Sequence, residues 1–206
     1  MESSPTTQLA LSLPVGAPSD QFFVSHSGVI DALSAIESSL AEPSLFTFFH
    51  VTGPKGSGKS ELLRMFKQRA PNSIAVFDFL SGEPEDDTVA AFISAYESKK
   101  SAGGVLLVAA GHVATNPHVT SRLAFALPLE LGFPREEELF PLVRALLERR
   151  GLRFADPMVE FLVRRLPADP LSLSSIFAKI DELSLAQGKQ ANRAIVREAL
   201  ETPPKA

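Results

Sequence analysis

Residues 53 to 60 read Gly53-Pro54-Lys55-Gly56-Ser57-Gly58-Lys59-Ser60, a complete match to G-x-x-x-x-G-K-[ST]. Ahead of it, Leu45-Phe46-Thr47-Phe48-Phe49-His50-Val51-Thr52 is aromatic and β-branched, the composition of a buried strand. Behind it, Glu61-Leu62-Leu63-Arg64-Met65-Phe66 opens a helical pattern. A strand, a glycine-rich loop and a helix in this order turn the backbone tightly and aim N–H groups at one point beside the positive end of the helix. The motif therefore predicts a cradle for nucleotide phosphates, with Lys59 reaching the β- and γ-phosphates and the Ser60 hydroxyl binding Mg²⁺. A plain Gly/Ser linker would need neither the strand nor the helix.

Other elements of the same kind surround this unit. Val29, Ile30, Leu33, Ile36 and Leu40 recur at helical spacing between Gly28 and Leu40. Ser73 to Phe79 reads as a buried strand, residues 86 to 100 as a helix, and Val105 to Ala110 as an apolar strand. Asn116-Pro117 starts a short helix, with Asn as cap and Pro in the first turn, and Phe125 to Leu131 reads as another strand. Strands alternating with helices predict a mainly parallel sheet covered on both faces. From Pro134 the pattern is helical only, with helices expected at about 135 to 150, 156 to 166, 171 to 187 and 192 to 201. The first 20 residues, with Pro5, Pro14, Gly16 and Pro18 among many Ser and Thr, read as an extended tail. Three parts are thus predicted: a tail over 1–20, an α/β nucleotide domain over 21–133 and a helical domain over 134–206.

Composition narrows the functions. A net charge of −4 speaks against general affinity for nucleic acid. Four scattered histidines without any cysteine speak against structural zinc, and disulfide or thiol chemistry is excluded. No apolar run reaches the roughly 18–20 residues needed to cross a bilayer, and no basic segment precedes a hydrophobic stretch at the N-terminus. A cytoplasmic protein without a membrane partner is expected.

An α/β phosphate-loop domain followed by a helical lid resembles an AAA+ module, and several segments resemble the DnaA replication-initiator group, in particular its shorter Hda-type proteins. Phe23-Val24 is similar to the group's N-terminal box over the adenine pocket, although His26 and Gly28 depart from its usual Gly and Asn. Val105 to His112 is similar to the strand carrying sensor 1, which makes His112 a candidate where Asn or Asp is commoner; its bland reading is a solvated loop histidine. Thr120-Ser121-Arg122-Leu123 resembles the segment whose arginine is the finger offered to a neighbouring subunit's nucleotide, while in isolation Arg122 is an ordinary helix arginine. Phe154 to Leu183 has the spacing of the family's lid. Gln8-Leu9-Ala10-Leu11-Ser12-Leu13 is similar to the peptide by which such proteins dock on the DNA polymerase sliding clamp, with Gln8, Leu9, Leu11 and Leu13 as the contact residues; its bland reading is an amphipathic tail.

The resemblance also shows departures. Asp78 is the candidate Walker B acid for Mg²⁺, or else a strand-end turn residue. The next position, an acid in active relatives, is Phe79, and the expected sensor 2 arginine is Ser174. Between the phosphate-loop helix and Asp78 the family has a further strand and helix, whereas here Pro71-Asn72 joins them, so the sheet is expected to be short of one strand. In a second register residues 73–79 would be that earlier strand and Walker B would fall in Val105 to Ala110, which holds no acid. Either way intrinsic ATPase activity is expected to be weak or absent.

The resemblance implies a regulator that holds ADP or ATP with Mg²⁺, docks on the clamp and presents Arg122 to the ATP of a DnaA partner. A nucleotide-dependent homo-oligomer is compatible with that geometry. Because the sequence ends at Ala206 without a helix-turn-helix, sequence-specific DNA binding is not expected. The alternatives are an autonomous AAA+ ATPase that remodels or loads a replication protein, and a DnaA-like adaptor with another target.

Overall fold

The computed structural model describes residues 25–80, 84–111 and 116–201. Twelve elements follow one another among these residues. They are α1 (Ser27–Ala41), β1 (Phe46–Thr52), α2 (Lys59–Arg69), β2 (Ile74–Phe79), α3 (Asp86–Ala102), β3 (Gly104–Ala110), α4 (Pro117–Leu123), β4 (Leu127–Glu130), α5 (Glu136–Arg149), α6 (Asp156–Val163), α7 (Pro170–Gln187) and α8 (Arg193–Glu201).

The four strands form one parallel sheet in the order β2-β3-β1-β4. β3 is buried along nearly its whole length because it has strands on both sides and helices on both faces, which is why its sequence is continuously apolar. β1 alternates instead: Phe49 and Val51 join a core with Val29, Ile36, Leu62 and Phe66 of α1 and α2. Phe48 points the other way, into a core with Phe92 and Tyr96 of α3 and Val119 of α4. The sheet is therefore sandwiched, with β1 central in it and ending at the phosphate loop. As expected, α2 runs into β2 through residues 70–73 alone, and the intervening strand and helix have no counterpart.

Helices α5 to α8 pack around a core of their own, centred on Leu147, Leu162, Leu173, Phe177 and Val196, all nearly inaccessible. This core gives the helical lid independent cohesion, each such side chain contributing about 1.5–3 kcal/mol by burial.

The lid is strapped to the sheet domain where the chain passes from β4 to α5. Gly28 N-terminally in α1 and Gly132 approach so closely that Gly132 N–H donates to Gly28 O at 2.7 Å. A Cβ at position 28 would lie 2.6 Å from Gly132 C, so only glycine fits. Beside it Glu138, in the first turn of α5, accepts from Ser27 N at 2.8 Å, Ser27 Oγ at 2.5 Å and Arg135 N at 2.8 Å. One carboxylate thus satisfies the open N–H groups at the starts of two helices. Gly28→Ala is expected to lower stability by about 1–3 kcal/mol through the backbone clash, whereas Gly111→Ala, which meets nothing within 4 Å, is expected to change it little; urea unfolding of both variants checks this.

Candidate functional site: the phosphate loop and its surroundings

The loop from β1 to α2 is built on three glycines in the left-handed region, Gly53 (φ 138°), Gly56 (φ 88°) and Gly58 (φ 91°). Side chains with a Cβ rarely adopt these angles, so the motif's glycines are a backbone requirement. Gly58 precedes α2 and offers no side-chain cap, which leaves the first N–H groups of an 11-residue helix open for an anion. Gly53 also lies against β4's end: a Cβ there would sit 2.3 Å from Leu131 O.

Lys59, at the start of α2, folds back over the loop. Its ammonium donates to Gly53 O at 2.8 Å and Pro54 O at 2.7 Å. Desolvation lowers its pKa, and the nearby Asp78 carboxylate partly offsets this. A bound phosphate would offer this ammonium a charged acceptor in place of two carbonyls, a stronger class of hydrogen bond. Ser60 is exposed beside it, and Ser57 is buried with an Oγ that lacks a partner. An orphaned hydroxyl beneath a glycine cradle fits a site designed for a polyphosphate rather than a closed turn.

Asp78 lies near the exposed end of β2, paired across β3 with Ala109. Its Oδ1 accepts from Leu80 N at 3.1 Å, so it shapes the turn after the strand. It is also the acid whose field reaches Lys59, which places it on the loop's side of the sheet. β3 separates β2 from β1, and β3 supplies no carboxylate, so the second register offers no acid here. Among the described residues no group of three or more His, Asp or Glu side chains is arranged to hold a metal. Ser60 and Asp78 could still hold Mg²⁺, because that ion is commonly bound by one or two protein groups together with substrate phosphates.

Phe79 is 4% exposed and packs edge-on to Phe92 with ring centroids 5.7 Å apart. Phe77 stacks beside it at 6.0 Å. The position that follows Asp78 thus serves the core under α3 and carries no base for an attacking water. Ser174 stands on α7 and is half-buried, with no charge to offer.

Arg122 lies on α4, away from the loop. Its guanidinium sits 5.3 Å over the Tyr96 ring, donates to Glu97 Oε1 at 3.3 Å and donates to His118 O at 3.1 Å. These partners belong to α3 and α4, and no phosphate-loop group is among them. Only 23% of the Arg122 side chain is exposed and its Nε is buried without a hydrogen-bond partner, so packing against α3 holds it as well as these polar contacts. Phe23, Val24, His112 and the residues Gln8, Leu9, Leu11 and Leu13 lie outside the described residues.

Three features of the site were not anticipated from the sequence. Glu61, on the first turn of α2, has its pKa raised by burial, with Arg64 and Arg150 opposing the shift. Arg150 also lies 3.6 Å from Asp181, so charges on α2, α5 and α7 share one neighbourhood. Asp169, the cap of α7, lies close to Gly56: an added Cβ at 56 would be 2.9 Å from its Oδ1. The Asp169-Pro170 pair is a legible helix start, but nothing local in the sequence says where that start is aimed. His26, the third, caps α1 by accepting at Nδ1 from Gly28 N at 3.2 Å.

With this geometry the molecule has the AAA+ fold: a parallel sheet with flanking helices, a phosphate loop between β1 and α2, and a helical lid. Among solved structures it is similar to domain III of the replication initiation protein DnaA from Thermotoga maritima, with a TM-score of 0.69 and 14% identity, covering 91% of this chain and 97% of that one. It is also similar to the RuvB Holliday junction branch migration motor of Thermotoga maritima, with a TM-score of 0.60 and 17% identity, covering 91% of this chain and 72% of that one. An uncharacterized protein of Haemophilus influenzae is 23% identical, with 84% of this chain and 87% of that protein covered. No family model matches the chain.

The strap at the α1 start makes a pH dependence. Burial lowers the His26 pKa from 6.5, against the opposing pull of Glu138, so the neutral ring is favoured in the fold. Its stabilisation is present above pH 6.5 and is lost as the pH falls through the lowered value. Glu138 is held down at about 2 from 4.5, chiefly by the Ser27 hydroxyl and the Arg135 N–H, so its share is present above 4.5 and is lost toward 2. The Tm is expected to fall on acidification in these two windows, with His26→Asn flattening the first and Glu138→Gln the second in calorimetric scans.

Proposed function

We propose that the protein is a nucleotide-binding AAA+ regulator of the Hda type. In this reading it holds ADP or ATP with Mg²⁺, docks on the sliding clamp through Gln8 to Leu13, and stimulates ATP hydrolysis by DnaA through Arg122. The observation that carries the nucleotide part is the loop itself, three left-handed glycines with Lys59 folded over them and Asp78 within its field. Ser60 and Asp78 would hold the Mg²⁺, which would neutralise phosphate charge. Weak intrinsic turnover is supported by Phe79 in the aromatic core and by Ser174 in place of a cation.

The regulatory part is supported by the likeness of the fold to DnaA domain III, by the clamp-like peptide in the sequence, and by the Thr120 to Leu123 segment that carries Arg122 on α4. Arg122 would stabilise charge on the phosphoryl group transferred in the partner, a contribution of about a thousandfold or more in rate. An autonomous ATPase that remodels or loads a replication protein is the second reading, favoured by the complete loop and Asp78. An adaptor of the same fold with another target would not depend on Gln8 and Leu13.

Two experiments separate these readings. ATP hydrolysis by the cognate DnaA, with clamp loaded on DNA, is expected to rise with this protein and not with Arg122→Ala or with Gln8→Ala/Leu13→Ala. Stimulation retained by the Arg122 variant would contradict the finger role. Mg·ADP at about a hundred times Kd is expected to stabilise the wild type by about 2.7 kcal/mol and Lys59→Ala not at all, and turnover by the protein alone that Lys59→Ala abolishes would favour the autonomous enzyme.

A further inference from the structure

The two edges of the sheet are finished differently. At the β4 edge, Leu131 N–H donates to Thr52 O at 2.8 Å, so in this parallel ladder Leu127 and Leu129 also turn their amides to β1, and Pro128 turns outward. Pro128 has no N–H to offer, which closes that edge to a further strand. At the β2 edge, Val105 N–H donates to Ser73 O at 3.0 Å, so Ala75 and Phe77 bond to β3 while Ile74, Val76 and Asp78 turn outward. Ile74 N–H is taken by Ala70 O at 3.0 Å. Ile74 O, Val76 N–H, Val76 O and Asp78 N–H face away from β3, and among the described residues no other strand pairs with β2. From Ile74 to Phe79 this edge carries no proline, lysine or arginine. Ala75 and Phe77 are only half-buried, since α3 lies chiefly over β1 and β3.

We propose that β2 is a dimerisation edge, pairing antiparallel with β2 of a second copy of this chain about a two-fold axis at Val76. The outward groups are self-complementary in that register. Each Val76 N–H donates to Val76 O of the second copy, and each Asp78 N–H donates to Ile74 O of the second copy. Among registers centred on an outward residue, one at Ile74 would need the N–H that Ala70 O already holds. One at Asp78 would set two carboxylates opposite each other, a destabilising pair. The register at Val76 places each Asp78 opposite an Ile74 and each half-buried Phe77 opposite the small Ala75, and it sets Val76 against Val76. Two four-stranded sheets then join into one sheet of eight, with the strand that carries Asp78 moved from its edge to its middle. This pairing needs no nucleotide, so it stands apart from the nucleotide-binding reading above.

The test is sedimentation velocity of the full chain without nucleotide, over a range of protein concentrations, comparing wild type with Val76→Pro. Proline at an outward position of an edge strand removes an N–H that the fold of one chain does not use, as Pro128 does on β4, so the variant is expected to keep its cooperative unfolding. Wild type is expected to form a dimer at high concentration and the variant to stay monomeric. A wild type that is monomeric throughout, or a folded variant that dimerises as wild type does, would overturn the proposal. Should the variant fail to fold, amide hydrogen exchange of wild type decides: the Val76 and Asp78 N–H groups are expected to exchange about tenfold or more slowly in concentrated than in dilute protein. Protection that does not change on dilution, as a cap supplied within one chain would give, would overturn the proposal too.

Discussion

The turn from β1 into α2 is the constraint on which the rest of the molecule depends. Three backbone positions within six residues require positive φ, and glycine occupies all three. A loop so rich in glycine has high conformational entropy to lose, so it persists only because both ends are fixed. β1 fixes one end between two cores, and Leu62, Leu63 and Phe66 of α2 fix the other in the deepest part of one of them. The outcome is an open helix start held at the end of a central strand, with the Lys59 ammonium folded back over the loop.

Around that loop the chemistry is unevenly supplied. The loop gathers glycines, Lys59 and Ser60, and Asp78 lies in the field of Lys59. Phe79, the residue after Asp78, serves packing, and Ser174 on α7 carries no charge. Phe79 belongs to an aromatic stack running through Phe77, Phe92 and Tyr96, and that stack ends beneath the guanidinium of Arg122. The same core therefore takes up the side chain that follows Asp78 and supplies the ring beneath Arg122.

Much of this was legible in the sequence because it is governed by local patterns. The phosphate loop, the alternating strands and helices, and the shift to helices after Pro134 follow from glycine positions and hydrophobic periodicity, and the short link before Ile74 announced the missing strand. What was not legible is long-range. Glu138 reads as one of three consecutive acids at a helix start, and only the fold brings it to Ser27, 111 residues earlier. Asp169 reads as a helix cap, and only the fold brings it beside Gly56. Tyr96 reads as an ordinary core aromatic until α4 lays Arg122 over it. In each case local chemistry identifies the residue's first partner and topology supplies the second.

The central claim, that this loop holds a nucleotide as a stable state, is most directly tested by equilibrium dialysis of the full chain against radiolabelled ADP with Mg²⁺. The account predicts saturation at one ADP per chain, displaced by unlabelled ADP and undiminished over hours of incubation. No retained label at millimolar ADP would contradict it, whatever the fold resembles.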